Sequence, residues 1–208
     1  MPGTDIWPTV RAERTALAAD LEGLPPERWS TPSLCSAWPV RSVLAHMTAA
    51  AKLTPGSFLP KLVSTGFNFE RLQAKGIDAE EGATPGETLD RFRSVIDSKK
   101  RPPGPPQTML GETLVHAEDI RRPLGIRHEY PMASLVEVAD FFKRSNLIIG
   151  TKRRISGVSL KATDTAWSHG SGPEAGGPML SLVMAMTGRT AALDDLSGPG
   201  VEVLRTRT

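Results

Sequence analysis

Pro39-Val40-Arg41-Ser42-Val43-Leu44-Ala45-His46-Met47-Thr48-Ala49-Ala50-Ala51 places its apolar residues at Val40, Val43, Leu44, Met47 and Ala51. That is the three-and-four spacing of an amphipathic helix with one buried stripe. Pro39 suits the first helical position, where a missing N–H costs nothing. At about 100° per residue, His46 falls about 60° from Val43 and about 40° from Ala50, which puts it at the edge of the buried stripe among small neighbours. A second stripe runs through Met109, Leu110, Thr113, Leu114, Ala117, Ile120 and Leu124 and ends near Pro123 and Gly125. Two helices of this kind, each with a histidine beside its apolar face, are the frame from which the rest of the chain is read.

Outward from them the helical pattern continues. Ile6, Val10, Leu17, Leu21 and Leu24 form one stripe with Pro8 in its first turn. Ser57 to Lys75 is a weaker helical stretch interrupted near Gly66. Thr84-Pro85-Gly86-Glu87 reads as a capping box that opens a helix through Leu89, Phe92 and Ile96. The run Pro102-Pro103-Gly104-Pro105-Pro106 forbids helix and predicts a stiff loop. Pro131 opens a further helix through Leu135, Val138, Ala139 and Phe142, with Gly150 as its stop. Beyond it the period changes: Val158, Leu160 and Ala162 alternate with polar residues, a strand pattern, and Ala166-Trp167 starts a neighbour. Gly170 to Pro178 reads as loop, Met179 to Met186 as an apolar helix, and Val201 to Leu204 as a closing strand. The expected fold is mainly α, a helical bundle over residues 1–150 followed by a small α+β domain over 151–208.

The 208 residues suffice to bury a core without disulfides or other staples. Charged residues make up 23% and hydrophobic residues 39%, a composition that excludes a wholly disordered chain. Lys plus Arg exceed Asp plus Glu by 25 to 23, too small an excess to make nucleic acid the default partner. A single cysteine, Cys35, excludes an intramolecular disulfide and a CxxC framework; it reads as a small packing residue, because no histidine in its own segment activates it. No apolar run has membrane-spanning length and the N-terminal residues lack a secretory layout, so the expected location is cytoplasmic with no membrane partner.

Only four histidines, His46, His116, His128 and His169, are available for a histidine-based site. Glu112 and His116 are four apart and share a helical face that borders the core. Two imidazoles and one carboxylate leave open positions on a metal, the arrangement of catalytic rather than structural zinc. The spacing alone also fits a core histidine with a hydrogen-bond partner, and it is not the His-Glu-x-x-His of a metalloprotease. Asp119 lies three residues past His116, placed to hold a ligand's ring N–H, to act as a base, or to pair with Arg122. His128, in a loop after Gly125, and His169, in a glycine-rich stretch, are not expected to be ligands.

Three ordered blocks carry a resemblance. Trp29 with Thr31-Pro32-Ser33-Leu34-Cys35-Ser36-Ala37-Trp38-Pro39 through His46 resembles the N-terminal signature of the mycothiol-dependent maleylpyruvate isomerase family, a branch of the DinB-like four-helix metal-binding superfamily. Gly111-Glu112-Thr113-Leu114-Val115-His116-Ala117-Glu118-Asp119 through Gly125 resembles its second ligand helix. Ala162 to Trp167, the glycine-rich loop, Leu182 to Arg189 and Leu193 to Gly198 resemble its C-terminal domain. The resemblance implies a DinB-like four-helix bundle with a small C-terminal α+β domain. It implies a divalent metal, zinc first, held by His46, Glu112 and His116, with Asp119 and Arg189 as catalytic residues. It implies mycothiol as thiol cosubstrate, the thiolate on the metal being the nucleophile toward a small electrophile. Pro39 stands where the family commonly has Thr or Ser, and the Pro102–Pro106 loop is expected to reshape the pocket mouth.

Two functions follow as expectations. The first is a metal- and mycothiol-dependent isomerase or transferase acting on a small electrophile, anionic ones included. The alternative is a non-catalytic metal- or small-molecule-binding stress-response module on the same bundle. Arg189 follows Gly188, a helix stop, and is expected to act across the domain boundary as a clamp on a substrate carboxylate, a planar acceptor that matches guanidinium. Neither substrate nor oligomeric state is readable from the sequence.

Overall fold

The structure, a computed structural model, describes residues 5–35, 38–146 and 150–207. Two compact units are present, Met1–His128 and Glu129–Thr208. The sequence placed the break near residue 150, where the hydrophobic period changes. The division instead precedes the helix at Met132–Phe142, whose apolar face packs inside the second unit. A change of period marks where strands begin; it does not report which neighbour an amphipathic helix chooses.

In the first unit the helices are α1 (Trp7–Asp20), α2 (Val40–Lys52), α3 (Pro55–Ser64), α4 (Phe69–Glu80), α5 (Pro85–Arg93) and α6 (Gln107–Arg121), with a 3-10 turn at Pro26–Ser30. α1 packs on α6, α6 on α2, α2 on α5 and α5 on α1, which closes a four-helix bundle; α4 lies against α2 outside the ring. Val10, Leu17, Val43, Leu44, Phe92, Leu114 and Ile120 fill its core. The weak stretch at Ser57 to Lys75 resolves into α3 and α4, broken where Gly66 and Phe67 take positive φ of 67° and 59°. Thr84 caps α5 by accepting the Glu87 N–H at 3.2 Å, while the Glu87 carboxylate accepts from Ala83 N, one residue earlier than a capping box requires. Pro39 is the residue before the first turn of α2 rather than within it.

α1 and α6 are tied through charge. Arg121 is fully buried, donates from Nε to Asp20 Oδ2 at 2.7 Å, and has a second guanidinium nitrogen 3.7 Å from Glu13 Oε2. Glu13 also meets His128 Nε2 at 2.8 Å. On the same helix α1, the buried Arg14 donates to Val95 O and Ser98 O and so binds the carbonyls that follow α5.

In the second unit, α7 (Met132–Phe142) and α8 (Thr151–Arg154) precede β1 (Ser159–Ala162), β2 (Ser168–His169), β3 (Glu174–Gly177), α9 (Met179–Met186), a 3-10 turn (Thr190–Asp195) and α10 (Gly200–Arg205). The sheet order is β2-β1-β3, with β1 antiparallel to β2 and parallel to β3. α9 is buried along most of its length and packs against α7. Three sequence expectations are corrected here. Gly170 to Pro178 contains β3, whose Glu-Ala-Gly-Gly composition hides it: a Cβ at Gly177 would lie 2.5 Å from Leu196 Cδ2, so the position excludes the side chains by which strands are recognised. Val201 to Leu204 is helical, because Val201 and Leu204, three apart, are buried together while Glu202 points outward. The helix opened by Pro131 ends at Phe142; Gly150, with φ of 62°, precedes α8. Among the described residues no helix is long and apolar enough to cross a membrane.

The α1–α6 ion pairs predict the cost of losing their centre. Arg121→Ala leaves Glu13 and Asp20 facing a buried void and should destabilise the chain by about 3 kcal/mol in urea unfolding; a loss below about 1 kcal/mol would reduce the pairs to surface bridges.

Candidate metal centre

α2 and α6 pack together, and the histidines at the edges of their stripes meet. The His46 and His116 rings lie 4.9 Å apart in an edge-on arrangement, and His46 Nε2 is 3.9 Å from Glu112 Oε1. The Trp38 ring lies 4.9 Å from His46 on its other side. The four-residue spacing of Glu112 and His116 thus projects both toward the histidine of the neighbouring helix.

His116 Nδ1 is 2.9 Å from Asp119 Oδ2, and Asp119 is fully buried. A carboxylate accepts, so the ring carries its proton on Nδ1 and keeps the Nε2 lone pair for a ligand, the tautomer by which carboxylates orient metal-binding histidines. Of the roles open to Asp119, pairing with Arg122 falls to Glu118, whose Oε1 accepts from Arg122 Nε at 3.0 Å.

Cys35 joins this cluster. A ligand atom from each of Cys35, His116 and Asp119 lies within 4.8 Å of the other two. The loop bearing it is pinned to α6, because Leu34 N donates to Asp119 O at 3.1 Å. Ser33 Oγ accepts the Cys35 N–H and donates to Trp38 O, which turns the loop on itself. Ser36 and Ala37, part of the same sequence block, lie outside the described residues. By sequence Cys35 reads as a packing residue because its neighbours in the chain offer no base; the histidine beside it comes from α6, a relation that only the bundle creates.

Burial raises the Glu112 pKa from 4.5 to about 6, against the lowering effects of His116 and of the Arg14 guanidinium. Arg14 itself is pushed down by burial and partly restored by Glu112. Two imidazoles and a carboxyl that burial drives toward its neutral form fit a divalent cation, which would hold that carboxyl ionised. His128 is taken up by Glu13, and His169 sits in β2. Arg189, in the second unit, precedes the 3-10 turn and donates to Thr187 O at 3.1 Å.

Fold and site together define a class: a four-helix bundle with a histidine–carboxylate–thiol cluster between two of its helices, in a chain that continues into a small mixed sheet with helices. Residues 10–102 match the family model of the mycothiol maleylpyruvate isomerase N-terminal domain. Over 93% of this chain and 91% of the other, the fold matches the crystal structure of the mycothiol-dependent maleylpyruvate isomerase, with a TM-score of 0.65 and 13% identity. The crystal structure of a histidine-to-alanine mutant of that isomerase matches with the same values. At that identity the likeness is one of fold. No curated protein sequence matches the chain.

The raised Glu112 pKa sets a pH dependence for metal-free protein. The folded state holds this proton more tightly than the unfolded chain, so the associated stability is complete below about pH 4.5 and is lost as pH rises through about 6. The loss amounts to about 2 kcal/mol. Urea unfolding in the presence of a chelator should show the decline, and Glu112→Gln should abolish it; an equal slope in the variant would assign the titration elsewhere.

Proposed function

We propose that the protein is a divalent-metal- and thiol-dependent isomerase or transferase, with mycothiol as cosubstrate and a small electrophile as substrate. The observation that carries this reading is the meeting of His46, Glu112 and His116 with Asp119 behind His116. Zinc is the first candidate for the metal and iron its rival, since two histidines and a carboxylate suit both. A divalent ion held there supplies Lewis acidity that lowers the proton affinity of a coordinating thiol toward neutral pH.

The chain's own residues do the rest. Asp119 accepts the Nδ1–H of His116 and so fixes which ring nitrogen faces the ligand site. Glu112 contributes the anionic donor, and Arg14 favours its ionised form from within the bundle. The Trp38 ring covers one side of His46 and limits water there. For Arg189 the support is the family resemblance, which implies a place near the metal, and the match of a guanidinium to a substrate carboxylate. Occurrence in the cytoplasm, beside a low-molecular-weight thiol pool, belongs to the same reading.

A second donor set has its own observation: Cys35, His116 and Asp119 lie close enough to bind an ion themselves. A non-catalytic metal-binding module, the alternative function, would be served by that set. Metal content separates the two. Purified protein should contain about one divalent ion per chain by elemental analysis. His46→Ala, Glu112→Ala and His116→Ala should each deplete it, whereas Cys35→Ser should retain it. Stoichiometric metal in all three alanine variants overturns the proposed ligands; loss in Cys35→Ser together with retention in His46→Ala assigns the second set.

Arg189 is tested separately. As a carboxylate clamp, Arg189→Lys should leave metal content and Tm nearly unchanged while turnover of an identified anionic substrate falls at least about tenfold, or about 1.4 kcal/mol. Unchanged turnover would remove Arg189 from the catalytic set, since a cation near a helix C-terminus contributes only about 0.3–1 kcal/mol and Lys serves there equally.

A further inference from the structure

Among the described residues the exposed large apolar side chains are Leu59, Val63 and Phe67, at 58%, 52% and 69% exposure, and they follow one another at spacings of four. The first two belong to α3, which has no buried residue although Phe58, Leu59, Leu62 and Val63 make it apolar. A helix without a buried face draws no stability from such side chains while they stay in water.

Local structure nevertheless fixes this segment. Thr54 Oγ1 accepts the Ser57 N–H at 3.1 Å and Ser57 Oγ accepts from Thr54 N at 3.0 Å, a reciprocal cap at the start of α3. At its end Phe67 N donates to Leu62 O at 3.0 Å, and Lys75 Nζ of α4 reaches Ser64 O at 3.5 Å. Phe67 takes φ of 59°, the left-handed region that glycine or asparagine occupies readily and a bulky ring does not. Its ring is mostly in solvent, so packing within the chain offsets little of that strain.

Charge around the patch is one-sided. Between residues 53 and 77, Lys61, Arg71 and Lys75 stand against one acid, Glu70, whereas the whole chain is nearly balanced at 25 to 23. All three cations are exposed, and none pairs with a carboxylate among the described residues. Apolar side chains with a cationic rim match an anionic lipid surface: the apolar groups enter the acyl boundary and the cations meet headgroups, with no shaped pocket required. A second copy of this chain would instead bring one cationic rim against another. Three side chains also fall far short of the roughly 20–30 residues a side of a stable protein interface.

We propose that α3 and Phe67 dock the protein on the surface of a membrane rich in anionic lipid. Ten residues of helix are too few to cross a bilayer, so the segment lies on it. None of the metal-centre residues takes part.

Vesicle co-sedimentation of the whole chain tests this, with mixed phosphatidylglycerol–phosphatidylcholine vesicles beside pure phosphatidylcholine ones. Binding is expected on the anionic vesicles at low salt, and at least about tenfold weaker on the neutral ones or as salt is raised. Lys61→Gln should weaken it about fivefold and Phe67→Asn at least about tenfold. Asparagine tolerates positive φ, so the Tm of Phe67→Asn should equal or exceed that of the parent, which separates lost docking from lost fold. Absence of binding overturns the proposal, as does equal binding to neutral vesicles. Anionic binding that survives Phe67→Asn would place the contact on another basic segment and overturn it too. A lipid-free dimer in analytical ultracentrifugation that Phe67→Asn dissolves would give the patch to a second copy and equally overturn a membrane partner.

Discussion

α6 is buried along nearly its whole length, and the buried residues include Glu118, Asp119 and Arg121. Charges inside a bundle are costly unless each finds a partner, and this constraint organises the first unit. Arg121 draws Asp20 and Glu13 of α1 to one side; Glu118 takes Arg122; Asp119 takes His116. Each pairing fixes a neighbour of α6 or a rotamer on it. The helix therefore sets the register of the bundle by its polar residues as much as by Leu114 and Ile120, and one pairing it makes for its own sake, Asp119 with His116, orients a ring nitrogen toward α2.

The site exploits what the bundle must do anyway. α2 supplies a small-residue face, with Ala45, Ala50 and Ala51 buried, and this leaves space for two imidazoles at its edge. Burial that would be neutral for an apolar side chain pushes Glu112 toward protonation. A carboxyl kept in an unfavourable state by the fold is a local loss of stability that a bound cation would reverse.

How much of this was legible in the sequence depended on whether the signal was local. The stripes of α2 and α6 place His46, Glu112 and His116 at core-facing edges, because a period near 3.6 is a property of one helix. The cap at Thr84 and the break at Gly66 are likewise local, and both appear. Cys35 was not legible as a neighbour of His116, because it depends on Leu34 bonding to Asp119 across the bundle. β3 escaped for the opposite reason: its glycines are selected by the close approach of Leu196, so the strand lacks the side chains that announce one. The helix at Met132–Phe142 was recognised, but its allegiance to α9 is a choice among partners that periodicity cannot make.

Charge distinguishes the two donor sets on physical grounds. His46, Glu112 and His116 offer one anionic donor between two neutral imidazoles, so a divalent ion on that set is left with positive charge to spare. Arg14 adds to it from inside the bundle, and Asp119 offsets it from behind His116. Such a centre would favour a further anionic donor, as the proposed thiol cosubstrate would supply in its deprotonated form. Cys35, His116 and Asp119 would offer two anionic donors, which balance the charge of a divalent ion and weaken its pull on an external thiol. The first set would leave the ion more positive charge, and so a stronger pull on an external thiol, than the second. Both sets contain His116, so one ion cannot use it with the Nδ1–Asp119 bond intact and also take Asp119 Oδ2 as a ligand. Preservation of that 2.9 Å bond is what ties the proposed chemistry to the first set.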